Sequence, residues 1–269
     1  MRQTVIDIMQ LVRQVEVGID VDGDGIVDLD AKRIYYAGQS FGGIYGTILL
    51  GIEPNLQAGV PNVPGGSISE VARLGVFRFL TGIALATRVP SLINVADKSG
   101  IAFNENMPLR NLPPVINDVN GAMAIAHLLD YTQWVQQTGN PVSYAPFIRK
   151  NPLPGSFPKP VIIQFAKGDG VVPNPTTTAI LRAGDLGGNA TLFRNDLAYK
   201  VSPTVPKNPH TFLTNIGIPA AAGYAIAAQS QIAIFFRTNG TTVIDPDGTG
   251  PFFEVPVTPP LPETLSYLP

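Results

Sequence analysis

Ser40 stands in Gly38-Gln39-Ser40-Phe41-Gly42, with a second glycine at Gly43. The apolar run Ile34-Tyr35-Tyr36-Ala37 before it reads as a buried strand, and Ile44-Tyr45-Gly46-Thr47-Ile48-Leu49-Leu50 after it reads as a buried helix. A Gly-x-Ser-x-Gly at such a junction lifts the serine on a strained turn, and Gly38 and Gly42 are expected to let strand and helix approach beside it. A serine hydroxyl is a poor nucleophile until an imidazole takes its proton. The chain has two histidines, His127 and His210. His127 lies in a helical run, Ala124-Ile125-Ala126-His127-Leu128-Leu129, and reads as structural. His210, in Lys207-Asn208-Pro209-His210-Thr211, follows the last expected strand on a loop and is the expected base.

The carboxylate behind the base is expected between the serine and the histidine in chain order. Asp169 follows the strand Val161-Ile162-Ile163-Gln164-Phe165 and opens the Gly/Pro loop Gly168-Asp169-Gly170-Val171-Val172-Pro173. A carboxylate there can meet an imidazole above the strand ends. An aspartate capping a turn would look the same. Asp196, after the strand Ala190-Thr191-Leu192-Phe193, is the alternative acid.

These residues need a framework. Val5, Ile8, Met9, Val12 and Val15 share one face of an expected first helix, and another strand is expected around residues 58–63. Residues 66–158 read as a helical lid or cap insertion, with helices over 71–86 and 121–137 and Pro-rich joints at Pro113-Pro114 and at Pro152, Pro154 and Pro158. Residues 1–65 and 159–269 then form the core, closed by a helix over 219–236. The tail from Thr238, rich in Pro and Gly, is expected to lie extended on the surface. The fold class is α/β, a mostly parallel sheet flanked by helices.

The three blocks Gly38-Gln39-Ser40-Phe41-Gly42-Gly43, Gly168-Asp169-Gly170-Val171-Val172-Pro173 and Pro209-His210 resemble those of bacterial lipases and esterases of the α/β-hydrolase superfamily. The nearest likeness is to large extracellular lipases with an Asp-rich loop before the nucleophile strand. The resemblance implies a serine carboxylesterase or lipase acting through an acyl-enzyme, with Ser40, Asp169 and His210 catalytic and no catalytic cofactor. Amidase and thioesterase chemistry stay open beside it. It also implies a secreted or periplasmic protein, while residues 1–17 carry scattered charges and no signal peptide is expected there. The apolar residues of 71–86 suit a lid over acyl lipids or hydrophobic polyesters, and equally suit packing on the core.

The departure from that family concerns the sheet. Only 37 residues precede Gly38, so the strands that usually come before the elbow are expected to be missing, with no His-Gly-Gly-type oxyanion segment. The Phe41 N–H remains one oxyanion donor; lacking the second costs roughly 3–4 kcal/mol of transition-state stabilisation. The nucleophile strand then becomes an apolar edge, for which a homodimer through residues 1–37 is expected. The alternatives are a C-terminal tail folded back over that edge, or a non-catalytic remnant serving as an interaction subunit.

Asp20, Asp22, Asp24 and Asp28, with Gly25, occupy positions 1, 3, 5, 9 and 6 of an EF-hand-type calcium loop, although Ala31 replaces the usual glutamate at position 12. A structural calcium ion is expected there, or else a solvated acidic turn, on the side of the strand away from Ser40. The remaining composition narrows the classes. A net charge of −2 gives no electrostatic basis for binding nucleic acid. With 0 cysteines, disulfides and thiol chemistry are excluded. No apolar stretch reaches transmembrane length.

Overall fold

The computed structural model describes residues 1–107 and 116–265. Its centre is α2 (Phe41–Ile52), a helix buried on nearly every side. It connects two parallel strands, β1 (Tyr35–Gln39) and β2 (Ala58–Asn62), paired from Tyr35↔Ala58 to Gln39↔Asn62. β3 (Ile163–Ala166) and β4 (Ala190–Phe193) continue the parallel sheet, and β5 (Phe253–Glu254) adds an antiparallel edge, giving the order β1-β2-β3-β4-β5. The protein is therefore α/β, with a five-stranded, mostly parallel sheet flanked by helices.

Strand alternation divides the sheet's side chains between two layers. Ile163, Phe165, Ala190 and Leu192 face α1 (Arg2–Val17), α2, α6 (Pro141–Ile148) and α7 (Asn174–Gly184). On the other face, Ala166 and Phe193 pack with Ala198 of α8 (Asn195–Val201) and Ala228 of α9 (Pro219–Arg237), and Ala58, Val60 and Ile162 pack with Phe235 of α9. Each fully buried large side chain contributes about 1.5–3 kcal/mol. β1 is gripped from both layers: Tyr36 donates to the Gly42 carbonyl at 2.6 Å on the α2 side, and Tyr35 stacks on Phe236 at 5.0 Å on the α9 side.

α1 forms with the face its apolar spacing marks. Val5 and Val12 are buried, and Gly18 closes the helix with φ 107 and its N–H on the Gln14 and Val15 carbonyls. Arg13 clamps it to the end of α2 through both oxygens of the buried Glu53, at 2.7 Å each.

Several boundaries differ from the sequence expectations, each for a physical reason. The strand expected over 161–165 begins at Ile163, and Val161 makes only a separate bridge to Gly59. The gap lies beside Pro61 of β2, which has no N–H to donate. The single helix expected over 71–86 is two, α3 (Ile68–Leu74) and α4 (Arg78–Ala86). They part at Gly75, where a Cβ would stand 2.7 Å from the Val171 carbonyl and where Val76 N–H bonds the Gly170 carbonyl at 2.8 Å. α5 (Ala122–Gln136) lies within its expected span, while the Pro113-Pro114 joint lies outside the described residues.

The segment 66–158 is also not uniform. Ala145 and Ile148 of α6 sit in the main core, so α6 belongs to the sheet's helical layer. α4 and α5 instead share their own cluster of Leu85, Phe103, Ile125 and Leu129. Arg73 and Arg78 hold that unit together through the buried Glu105, at 3.1 and 2.5 Å. The tail is not merely extended: β5 pairs with β4, Val257 enters the core, and Glu263 pairs with Arg182 of α7. The described tail thus covers the edge opposite to β1, correcting the alternative in which it folds back over the strand that leads to Ser40. No single helix among the described residues is long and apolar enough to cross a membrane.

Candidate active site

Ser40 sits between the last residue of β1 and the first of α2, with φ 57 and ψ −119, a conformation that ordinary side chains rarely adopt. Backbone hydrogen bonds hold it there: Ser40 N–H donates to the Asn62 carbonyl at 2.9 Å, and the Ser40 carbonyl accepts from Ile44 N–H at 2.9 Å. The required glycines differ from those expected. A Cβ on Gly38 would stand 2.6 Å from the Gly42 carbonyl, and one on Gly43 would stand 2.6 Å from the Asn62 carbonyl. One on Gly42 would meet nothing nearer than 3.6 Å. Gly38 and Gly43, not Gly42, are the close approaches.

The three residues singled out by chemistry and order come together at the carboxyl ends of β1 and β3. His210 Nε2 lies 2.7 Å from Ser40 Oγ, and His210 Nδ1 lies 2.8 Å from Asp169 Oδ2. An ionised carboxylate only accepts, so Nδ1 carries the proton and Nε2 is left to accept from the serine hydroxyl. The second oxygen, Asp169 Oδ1, accepts from Val171 N–H at 2.8 Å and Val172 N–H at 2.9 Å. Asp169 and His210 are both buried, and Ser40 is half-buried.

Side-chain amides hold the two loops, and sequence reading passed over them. Asn174 Oδ1 accepts from Gly168 N–H at 2.9 Å while its Nδ2 donates to the Ala166 carbonyl at 2.7 Å, which shapes the turn after β3. Asn208 Oδ1 accepts from both Gly170 N–H and His210 N–H, each at 3.2 Å, linking the acid loop to the histidine. Gln39 Nε2 donates to the His210 carbonyl at 3.2 Å, tying the same loop to the elbow. Behind His210, Phe212 stacks on Phe193 at 5.2 Å. The Asn-Pro pair before His210 is a turn signal that marks Asn208; no comparable signal marks Gln39.

The alternatives lie elsewhere. Asp196 pairs with Arg194 at 2.8 Å and Lys167 at 3.3 Å. Burial pushes its carboxyl up, but these two cations outweigh burial and hold it below the ordinary carboxylate range. His127 is exposed on α5.

Phe41 opens α2, so its amide belongs to the first turn, which has no intrahelical acceptor. A cavity of about 290 Å³ lies against this residue, lined by Met1, Arg2, Phe41, Ile68 and Gln136 among others.

The acidic loop between α1 and β1 lies at the far end of β1 from Ser40; five strand residues span roughly 17 Å. One carboxylate oxygen from each of Asp20, Asp22 and Asp28 falls within 4.8 Å of the others. Asp24, the fourth expected ligand, is not in this group; its Oδ1 accepts from Ile26 N–H at 2.8 Å. Asp20 accepts from Gly23 and Gly25 N–H, and the Gly25 contact leads in holding its carboxyl below the ordinary range. Three exposed hard-oxygen donors suit a cation such as calcium.

Comparison with protein-family models, with curated proteins and with solved structures finds no match.

Proposed function

We propose that this protein is a serine carboxylic-ester hydrolase of the α/β-hydrolase type, a carboxylesterase or lipase. The observation that carries the reading is the unbroken chain Ser40 Oγ, His210 Nε2, His210 Nδ1, Asp169 Oδ2, with steps of 2.7 and 2.8 Å, at the ends of parallel strands. Ser40 Oγ attacks the ester carbonyl carbon while its proton passes to His210 Nε2. Asp169 stabilises the resulting imidazolium through Nδ1–H. The Phe41 N–H supports the oxyanion of the tetrahedral intermediate. As the intermediate collapses, Nε2–H protonates the departing alcohol and leaves an acyl group on Ser40. Water, deprotonated by His210, then attacks that acyl carbon, and Ser40 recovers its proton as the acid is released. No cofactor enters any step. A calcium ion held by Asp20, Asp22 and Asp28 would be structural.

Hydrolysis of p-nitrophenyl esters tests the reading. Ser40→Ala and His210→Ala should each remove about 10⁴-fold or more of kcat, and Asp169→Asn about 10⁴-fold. Unchanged hydrolysis in His210→Ala contradicts it. Thioesters and amides assayed beside the esters separate the related acyl-transfer readings.

A second reading has its own support. β1 is the terminal strand of the sheet, and Ala37 on it is exposed. An apolar edge strand recruits another chain. We propose that a second copy covers this edge and supplies the second oxyanion donor. An interaction subunit without catalysis is the form this reading takes if no ester is cleaved. Light scattering at micromolar concentration should give a dimer; a stable monomer contradicts the pairing.

A further inference from the structure

We propose that Asn62 is a positioning residue for the nucleophile of the hydrolase proposed above, and the inference rests on that reading. The Asn62 carbonyl holds Ser40, and the Asn62 side chain fixes that carbonyl to the middle of the sheet. Asn62 ends β2 beside two backbone positions of unfavourable geometry. Ser40 has φ 57, and Val63, a buried β-branched residue, has φ 43. Such conformations persist only where the surroundings over-determine them. Here the ties pass through Asn62 and Gln164. Ser40 N–H donates to the Asn62 carbonyl at 2.9 Å, and Val63 N–H donates to the Gln164 carbonyl at 2.7 Å. Asn62 Nδ2 donates to Gln164 Oε1 at 3.0 Å, which joins the other two bonds into one frame.

That bond belongs to a polar row that crosses the sheet beneath the elbow. Gln39, Asn62, Gln164 and Thr191 stand in direct register on β1, β2, β3 and β4. Strand alternation places them on the α9 face, in line with Val60 and Ile162, where hydrocarbon packs. From Asn62 the amides donate in one direction. Gln164 Nε2 donates to Gln231 Oε1 at 2.8 Å and to the Ala228 carbonyl at 3.1 Å. Gln231 Nε2 donates to Thr191 Oγ1 at 3.0 Å and to the Ile244 carbonyl at 2.6 Å. Asn62 is thereby anchored on α9 and β4. Gln39, at the other end, donates to the His210 carbonyl at 3.2 Å, so the row also touches the loop of the base. Asn62 Oδ1 is left buried without a hydrogen-bond partner. An unpaired buried oxygen costs stability that an aliphatic side chain would not. Packing therefore does not account for an amide at this position; the bond from Nδ2 does.

Asn62→Leu keeps the size of the side chain and removes the donor, and Gln164→Met removes its acceptor. On p-nitrophenyl esters each variant should lower kcat by roughly tenfold or more, with KM little changed. The double variant should lose little beyond the worse single one, since Asn62 acts through Gln164. Val60→Ala, two residues earlier on the same face, should lower the melting temperature and leave kcat unchanged. Amide hydrogen exchange reads the clamp without catalysis: measured against the amides of β4, Ser40 N–H should exchange about tenfold faster or more in Asn62→Leu. Full kcat in the folded variants, or a loss that Val60→Ala matches, would overturn the positioning role and spare the hydrolase. A Ser40 amide freed by Asn62→Leu in a protein that cleaves no ester would keep the clamp and overturn the hydrolase. No cleavage, with a Ser40 amide indifferent to both variants, would overturn both.

Discussion

Asn208 Oδ1 accepts the His210 N–H at 3.2 Å, and the same atom accepts the N–H of Gly170, the residue after the acid. One side-chain oxygen therefore sets the distance between the loop carrying the imidazole and the loop carrying its carboxylate. Asn208 touches no reacting atom in the proposed mechanism, so it is a positioning residue. Asn208→Ala should lower kcat roughly 10- to 100-fold with KM little changed, since small misplacements of catalytic groups cost that much. Stability should fall by about 1 kcal/mol. Asn208→Asp keeps the acceptor oxygen and should restore most of kcat. An Asn208→Ala enzyme with full kcat would show that the loops hold themselves in place.

The elbow gives a paired test of backbone packing. A Cβ on Gly43 would meet the Asn62 carbonyl at 2.6 Å, and that carbonyl also accepts from Ser40 N–H. Gly43→Ala should therefore destabilise by about 1–3 kcal/mol and displace Ser40 as well. Gly42→Ala, with its nearest neighbour at 3.6 Å, should leave the melting temperature unchanged or raise it. Equal melting temperatures for the two variants would contradict the assigned crowding.

Glu105 makes the α3–α4–α5 unit sensitive to acid. Burial raises its carboxyl, but hydrogen bonds from Arg78 and Arg73 outweigh burial and hold it below its ordinary value. A carboxyl depressed in the folded state contributes stability that is fully present above the unfolded value, about 4.3, and is lost as pH falls through the folded value. Unfolding followed against pH should show stability declining below about pH 4, with a shallower decline in Glu105→Gln. At neutral pH that variant should be about 1–3 kcal/mol less stable, because the guanidinium groups lose a charged partner. Parallel pH profiles would remove Glu105 from the account.

The acidic loop is tested by chelation. If Asp20, Asp22 and Asp28 hold calcium, EDTA should lower the melting temperature, and added calcium should restore it by mass action. Asp24→Asn should keep most of the calcium response and Asp20→Asn should abolish it, since Asp24 stands outside the convergent group. Identical melting curves with and without chelator would leave an acidic turn.

What could be read from the sequence follows from where each signal lies. Ser40, Asp169 and His210 are legible because each stands at a junction with marked neighbours: glycines around Ser40 and Asp169, and proline before His210. The buried strands and α2 are legible from unbroken apolar runs. Pro61 is visible in the sequence, yet its effect falls on β3, which begins at Ile163, far along the chain. The break between α3 and α4 depends on Gly75 meeting the carbonyl of Val171, a long-range contact that helical periodicity does not carry. β5 is two residues in a Pro/Gly-rich tail, too short for any period. Gln39, Asn174 and Asn208 act by bonding backbone groups of other loops, so their roles appear only once the chain is folded.

Ser40 itself gives the most direct measurement. A fluorophosphonate probe reacts only with a serine whose proton a neighbouring base accepts. The protein should take up one equivalent of probe, with mass spectrometry placing it on Ser40. Labelling should vanish in Ser40→Ala and fall sharply in His210→Ala, with both variants folded by circular dichroism. A folded, unmodified protein that takes no label, or one whose label persists in Ser40→Ala, would contradict the catalytic account.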